Sequence, residues 1–218
     1  GQGSETVLAM MASEELSIPI SKIKVINTDT DVKPWDVGVH ASRTSFVAGN
    51  SLLGAISKLK NRLNKKAAEL LKCPPENLVY ENEEIKSSVG NISLRIEKVV
   101  REIHFSHPND LCIETFFYEP SSEFQDKQYK GNVSGTYAFA AQAVKVEVDT
   151  YTGNVKALDV YVAQDVGKVL NPLGIAGQIE GGVLMGVGYG ISEELLVEEG
   201  KSLNPNFHNY KMLTASDV

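Results

Sequence analysis

The stretch Ala143-Val144-Lys145-Val146-Glu147-Val148-Asp149-Thr150-Tyr151-Thr152-Gly153-Asn154-Val155 decides the fold class. Val144, Val146 and Val148 alternate with Lys145, Glu147 and Asp149, the period-two pattern of a strand with one apolar and one polar face. Thr152-Gly153-Asn154 turns the chain, and Val155 to Ala163 returns as a second strand, which makes an antiparallel hairpin. Upstream the period changes. Between Ser42 and Leu71, Leu52, Ile56, Leu59, Leu63, Ala67 and Leu70 recur at three- and four-residue spacing, which predicts a long helix that Cys73-Pro74-Pro75 stops. Its Lys58, Lys60, Arg62, Lys65, Lys66 and Lys72 read as a solvated face.

Shorter elements fill in around these two. Thr6–Ser17 reads as a helix with Ser4 as its N-cap, and Ile18-Pro19-Ile20-Ser21-Lys22-Ile23-Lys24-Val25-Ile26 alternates into a strand. A hairpin is expected around Leu78 to Ile85, a strand near Ile92, a helix from Leu94 to Ser106, and an extended run from Leu111 to Glu119. Ser121 to Gly135 is polar without a core face, as a connection between subregions would be. The expected architecture is therefore α+β in two subregions, 1–120 and 121–218, each a mixed or antiparallel sheet with helices packed on it.

Composition narrows the function classes. The 218 residues are 42% hydrophobic and 22% charged, enough apolar material for one sizeable core or two smaller ones. Twenty-one Lys and Arg against 28 Asp and Glu give a formal charge of −7, so no overall positive field draws nucleic acid or anionic lipid. No apolar run reaches the roughly 20 residues of a membrane helix, which implies a cytoplasmic protein. Cys73 and Cys112 stand far apart, without the spacing of an iron–sulfur or zinc site, and His40, His104, His107 and His208 show no ligand spacing. Gly186-Val187-Gly188-Tyr189-Gly190-Ile191 lacks the third glycine of a dinucleotide fingerprint, and Ser42 lacks a hydrolase elbow.

The most unusual composition is seven glycines between Gly174 and Gly190. In a helix each costs about 1 kcal/mol relative to Ala, so something must benefit from the missing side chains. Gly182, Gly186 and Gly190, four apart, leave a ridge on which a backbone or a flat ligand can lie. Gln2 between two glycines, Ser42 and Thr44 at a helix start, and Gln178 in the glycine-rich segment add short polar groups beside helix N-termini, which favour phosphate or an oxyanion.

Gly1-Gln2-Gly3, Ala41-Ser42-Arg43, Asp165-Val166-Gly167-Lys168-Val169-Leu170-Asn171-Pro172, Gly177-Gln178-Ile179-Glu180-Gly181-Gly182 and the closing Asn209 to Asp217 occur in an order that resembles the molybdenum hydroxylases, the xanthine dehydrogenase and aldehyde oxidase family. The resemblance spans nearly the whole chain but only the C-terminal part of a typical molybdopterin-binding large subunit. It implies that Gln2, Gly3, Ser42, Arg43, Thr44 and Gln178 bind the molybdopterin cofactor, with the cytosine dinucleotide among its forms, and that His40 and Ala41 border the substrate pocket. It implies hydroxylation of aldehydes or N-heterocycles with water as the oxygen source, electrons leaving through iron–sulfur clusters and FAD on other domains or subunits of an oligomer. The run Ala41 to Asn50 also resembles the branch that reductively dehydroxylates hydroxybenzoyl-CoA thioesters; a non-catalytic module of the same fold is the remaining alternative. No metal ligand is expected within the chain. The family's general-base glutamate follows Thr214-Ala215-Ser216-Asp217, so this chain reads as a fragment, inactive alone.

Overall fold

The computed structural model describes residues 1–108 and 110–217. The protein is α+β, with helices and antiparallel sheets in two compact units, Gly3–Thr136 and Tyr137 onward.

The first unit is built on three helices, α1 (Ser4–Leu16), α2 (Thr44–Leu71) and α3 (Ile96–Ser106), and a small sheet of β1 (Leu78–Glu81), β2 (Glu84–Ser87) and β3 (Ser93–Arg95). Its core is the apolar stripe of α2 that the spacing predicts: Leu63 and Ala67 pack with Ile96, Val99 and Ile103 of α3 and with Ile85, which β2 pairs opposite Tyr80 and Leu94. Leu63, Ile85 and Val99 are fully buried. The β1–β2 turn uses Asn82 and Glu83, both at positive φ (50° and 65°), the primed geometry whose twist matches a tight hairpin.

Helix α1 buries its small residues, Ala9 and Ala12, and not its larger ones. Gly49 of α2 permits this close packing, because a Cβ there would stand 2.9 Å from the Met11 methyl. Lys60 adds an ion pair to Glu15 at 3.2 Å.

Several expectations are corrected in this unit. Ser4 is the first residue of α1 and not its cap; Gly3, at φ 73°, occupies the N-cap without a side-chain bond. Ile18–Ile26 is not a strand. Ile20–Lys22 is a 3-10 turn; Ile23, Val25 and Asn27 beyond it do alternate in burial, but among the described residues no strand pairs with them. The long helix starts at Thr44, because Ala41 and Ser42 are both left-handed (φ 53° and 52°).

The run from Leu111 to Glu119, read as extended, joins no sheet among the described residues. It lies along α2, with its backbone bonded to helix side chains instead of a ladder. Lys58 donates to the Thr115 carbonyl (2.9 Å), Ser51 to the Phe116 carbonyl (2.6 Å), and Arg62 pairs with Asp110 and Glu114. The Phe116 ring sits over Gly54, where a Cβ would approach it to 2.2 Å. Part of the expected solvated basic face is thus the anchor of the chain's own next segment.

In the second unit, β4 (Phe139–Val148) and β5 (Val155–Asp165) form the expected hairpin, longer than expected at the end away from its turn, with a register shift between Lys145 and Val146. Gly153, at φ 78°, makes the turn, and the Asp149 carboxylate accepts the Tyr151 and Thr152 amides. Every β4 residue is exposed. The glycine-rich segment is helix α4 (Pro172–Ile191), followed by a short hairpin of β6 (Val197–Glu198) and β7 (Lys201–Ser202). No helix among the described residues is long and apolar enough to cross a membrane.

Candidate cofactor-binding site

In the first unit, His40, Ala41, Ser42, Arg43 and Thr44 are consecutive, and together they form a turn and a helix start. The Arg43 amide donates to the His40 carbonyl (3.3 Å), closing a turn whose central residues are both left-handed. Left-handed backbone costs about 1–2 kcal/mol for a non-glycine residue, so Ala41 and Ser42 hold a conformation that local preference opposes. His40, Ala41 and Ser42 are exposed, while Arg43 and Thr44 are half-buried.

Beyond the turn, α2 has no side-chain cap. The first intrahelical bond is Val47 to the Arg43 carbonyl, at 2.9 Å, which leaves the first-turn amides at the positive end of a 28-residue helix available to an anion. Arg43 stands at the same end with its guanidinium 3.9 Å from Glu119. Helix α1 offers less. Gln2 is exposed and Gly3 caps the helix by its backbone, but Glu5 folds back onto its own amide; that bond, with the Asn27 side chain, holds its carboxyl below the usual glutamate value. The candidate anion site of this unit is therefore the start of α2.

In the second unit the residue expected at the site, Gln178, is exposed on α4. Asn171 caps this helix by accepting the Gly174 amide (3.1 Å), with Pro172 at the first helical position, a pairing legible in the sequence. Successive fourth residues lie in one row along a helix. On α4 that row is Gly174, Gln178, Gly182, Gly186 and Gly190, so Gln178 is its single side chain. A Cβ at Gly182, Gly186 or Gly190 would meet nothing within 4 Å, and the same holds at Gly177 and Gly181. Only Gly174, against Asn171, and Gly188, against Glu193 and Leu213, are occupied by the chain itself. The helix gives up stability for a bare backbone face that nothing in its own unit fills.

Among the described residues no cluster of His, Cys, Asp and Glu could hold a metal ion. Glu119 is the residue that sequence reasoning missed; it lies in a run read only as extended, and nothing in the chain order links it to Arg43.

The molybdopterin cofactor-binding domain family matches the chain over residues 1–218. The xanthine dehydrogenase molybdenum-binding subunit of Escherichia coli O157:H7 is 32% identical across all of this chain and 28% of its own length. The gamma subunit of the 6-hydroxypseudooxynicotine dehydrogenase complex of Paenarthrobacter nicotinovorans is 30% identical, over all of the chain and 27% of its own length. Among solved structures, quinoline 2-oxidoreductase from Pseudomonas putida 86 superposes with a TM-score of 0.83 at 26% identity, over all of this chain and 27% of that one. The chain thus spans little more than a quarter of the relatives it matches.

Proposed function

Because the chain belongs to the molybdopterin cofactor-binding domain family, we propose that it is a cofactor-holding part of the large subunit of a molybdenum-dependent oxidoreductase that hydroxylates aldehydes or N-heterocycles with water as the oxygen source. The α4 row carries this reading. A glutamine amide, which both donates and accepts, stands among glycines whose Cβ positions are open, a surface suited to a flat heterocycle with polar edges. Gln178 would hydrogen-bond the pterin system. In the first unit, the uncapped amides of α2 with Ser42, Arg43 and Thr44 would hold the cofactor's phosphate, including that of the cytosine dinucleotide form. Gln2 would offer a second amide beside Gly3, and His40 and Ala41 would border the substrate. When bound, the cofactor supplies a metal centre that accepts two electrons from the substrate carbon.

Fit to the group is supported by what the chain leaves undone: an anion site without a side-chain cap and a helix face without side chains. Similarity to a xanthine dehydrogenase subunit and to quinoline 2-oxidoreductase favours an aromatic N-heterocycle as substrate. Relatives that are subunits of complexes favour assembly with further subunits, on which the iron–sulfur clusters and FAD implied by the family resemblance would sit.

The test is molybdenum and pterin content of the complete large subunit, purified with its co-encoded partners from a host that makes the cofactor, as wild type and as Gln178→Ala. Near-stoichiometric metal, lower in the variant, is the expected result. Wild-type protein devoid of molybdenum would overturn the enzyme reading and leave the fold as a scaffold.

A further inference from the structure

The segment Asp110–Glu119 crosses α2 in the direction opposite to the helix. Arg62 holds its start through Asp110 and Glu114, Lys58 and Ser51 hold its middle, and Tyr118 meets Phe46 edge-on with ring centroids 5.7 Å apart. The helix residues fall at 62, 58, 54, 51, 46 and 43, spacings that keep them along one side of α2. The strap ends by bringing the Glu119 carboxylate to the Arg43 guanidinium, at the open end of the helix.

We propose that Asp110–Glu119 is a strap that positions Arg43 toward the cofactor's anionic group, with Glu119 as the positioning residue; this rests on the cofactor-binding function proposed above. An arginine at a helix start has four rotatable side-chain bonds and would otherwise lose that freedom when an anion arrives. Glu119 reaches only one guanidinium nitrogen within 4 Å, and at 3.9 Å, while the other donors of the fork stay available to a phosphate. The carboxylate is 57% exposed and its contact is long, so it orients the cation without neutralising it as a tight bidentate pair would. The anchor points on α2 explain why an irregular segment delivers its last side chain to a fixed place.

The experiment uses the complete large subunit with its partners and compares wild type, Glu119→Gln, Glu119→Asp, Arg43→Gln and the Arg43→Gln/Glu119→Gln pair. Molybdenum and pterin retained by the protein are followed over time at a mildly elevated temperature. Glu119→Gln is expected to release the cofactor about two to five times faster, the range a partly exposed ion pair sustains. Glu119→Asp should stay close to wild type, and Glu119→Gln should add nothing once Arg43 is gone, since the residue acts through that arginine. A general structural role would instead multiply the two single effects, and that result overturns the proposal, as does an unchanged or slower release in Glu119→Gln. Wild type without molybdenum and pterin would overturn the function proposed above and this inference with it; a loaded wild type with an indifferent Glu119→Gln overturns the inference alone.

Discussion

Replacing Gly186 by alanine should make the 218-residue chain more stable. On α4 a Cβ at position 186 would meet no heavy atom within 4 Å, so the added methyl carries no steric cost. The helix gains alanine's propensity over glycine, about 1 kcal/mol, partly because the unfolded chain has fewer conformations to lose. With a urea dependence of roughly 1–3 kcal/mol per molar, that gain moves the α4 unfolding midpoint upward by about 0.3–1 M. Gly182→Ala should behave alike, and the Gly182→Ala/Gly186→Ala pair should approach the sum, since the two methyls stand one turn apart without shared neighbours. Far-UV circular dichroism against urea measures both the added helix and the midpoint. In the complete large subunit proposed above, the sign should reverse for function, because methyls on this row would occupy the face proposed to meet the cofactor, and molybdenum content should fall. If Gly186→Ala lowered the midpoint of the isolated chain, the glycine would be packed against the chain itself and the reasoning from an open face would fail.

Two further outcomes follow from the first unit. Ile85→Ala, at a fully buried position facing α2 and α3, should cost about 2–5 kcal/mol and lower the urea midpoint without changing the helix content of the folded baseline; a cost below about 1 kcal/mol would mean that the small sheet is not part of this core. Arg62 beside Asp110, helped by the Cys112 amide, holds the Asp110 carboxyl below its ordinary value near 3.8, so the stabilisation it gives the strap is present above that value and is lost as pH falls through the lowered one. A carboxyl-carbon NMR titration should therefore find Asp110 protonating below the ordinary aspartate value, and Arg62→Met should return its midpoint toward that value; a midpoint unchanged by that substitution would refute the pairing.

Most of the fold was legible wherever a pattern was long enough to be read without knowing its partner. The apolar stripe of α2 runs from the 52–56 turn to Ala67 and names its own buried face, while the alternating valines of β4 name a strand and its pairing with β5 although every residue of that strand is exposed. Ile23–Asn27 shows where this stops. Its alternation in burial is genuine, yet a strand is defined by a neighbour, and none pairs with it among the described residues. Leu111–Glu119 shows the same limit: its aromatic and β-branched residues favour extended backbone, but they could not show that its partner is a row of helix side chains.

The candidate site divides in the same way. Gly174, Gln178, Gly182, Gly186 and Gly190 are equally spaced in the chain, so helical geometry alone puts them in one row. The capping signals Asn171 and Pro172, and the charged stems of Lys58 and Arg62, are also properties of the sequence. Only the folded chain decides whether a ridge is filled, because openness at Gly186 and occupation at Gly188 depend on where Glu193 and Leu213 return. Only the folded chain sets Ala41 and Ser42 in left-handed backbone, against their own preference, and so moves the start of α2 to Thr44. Local periodicity fixed the elements, because it depends on spacing along the chain; the meeting of Arg43 with Glu119 required tertiary structure, because a weak pair of long side chains is brought together by a strap whose anchors lie elsewhere on the helix.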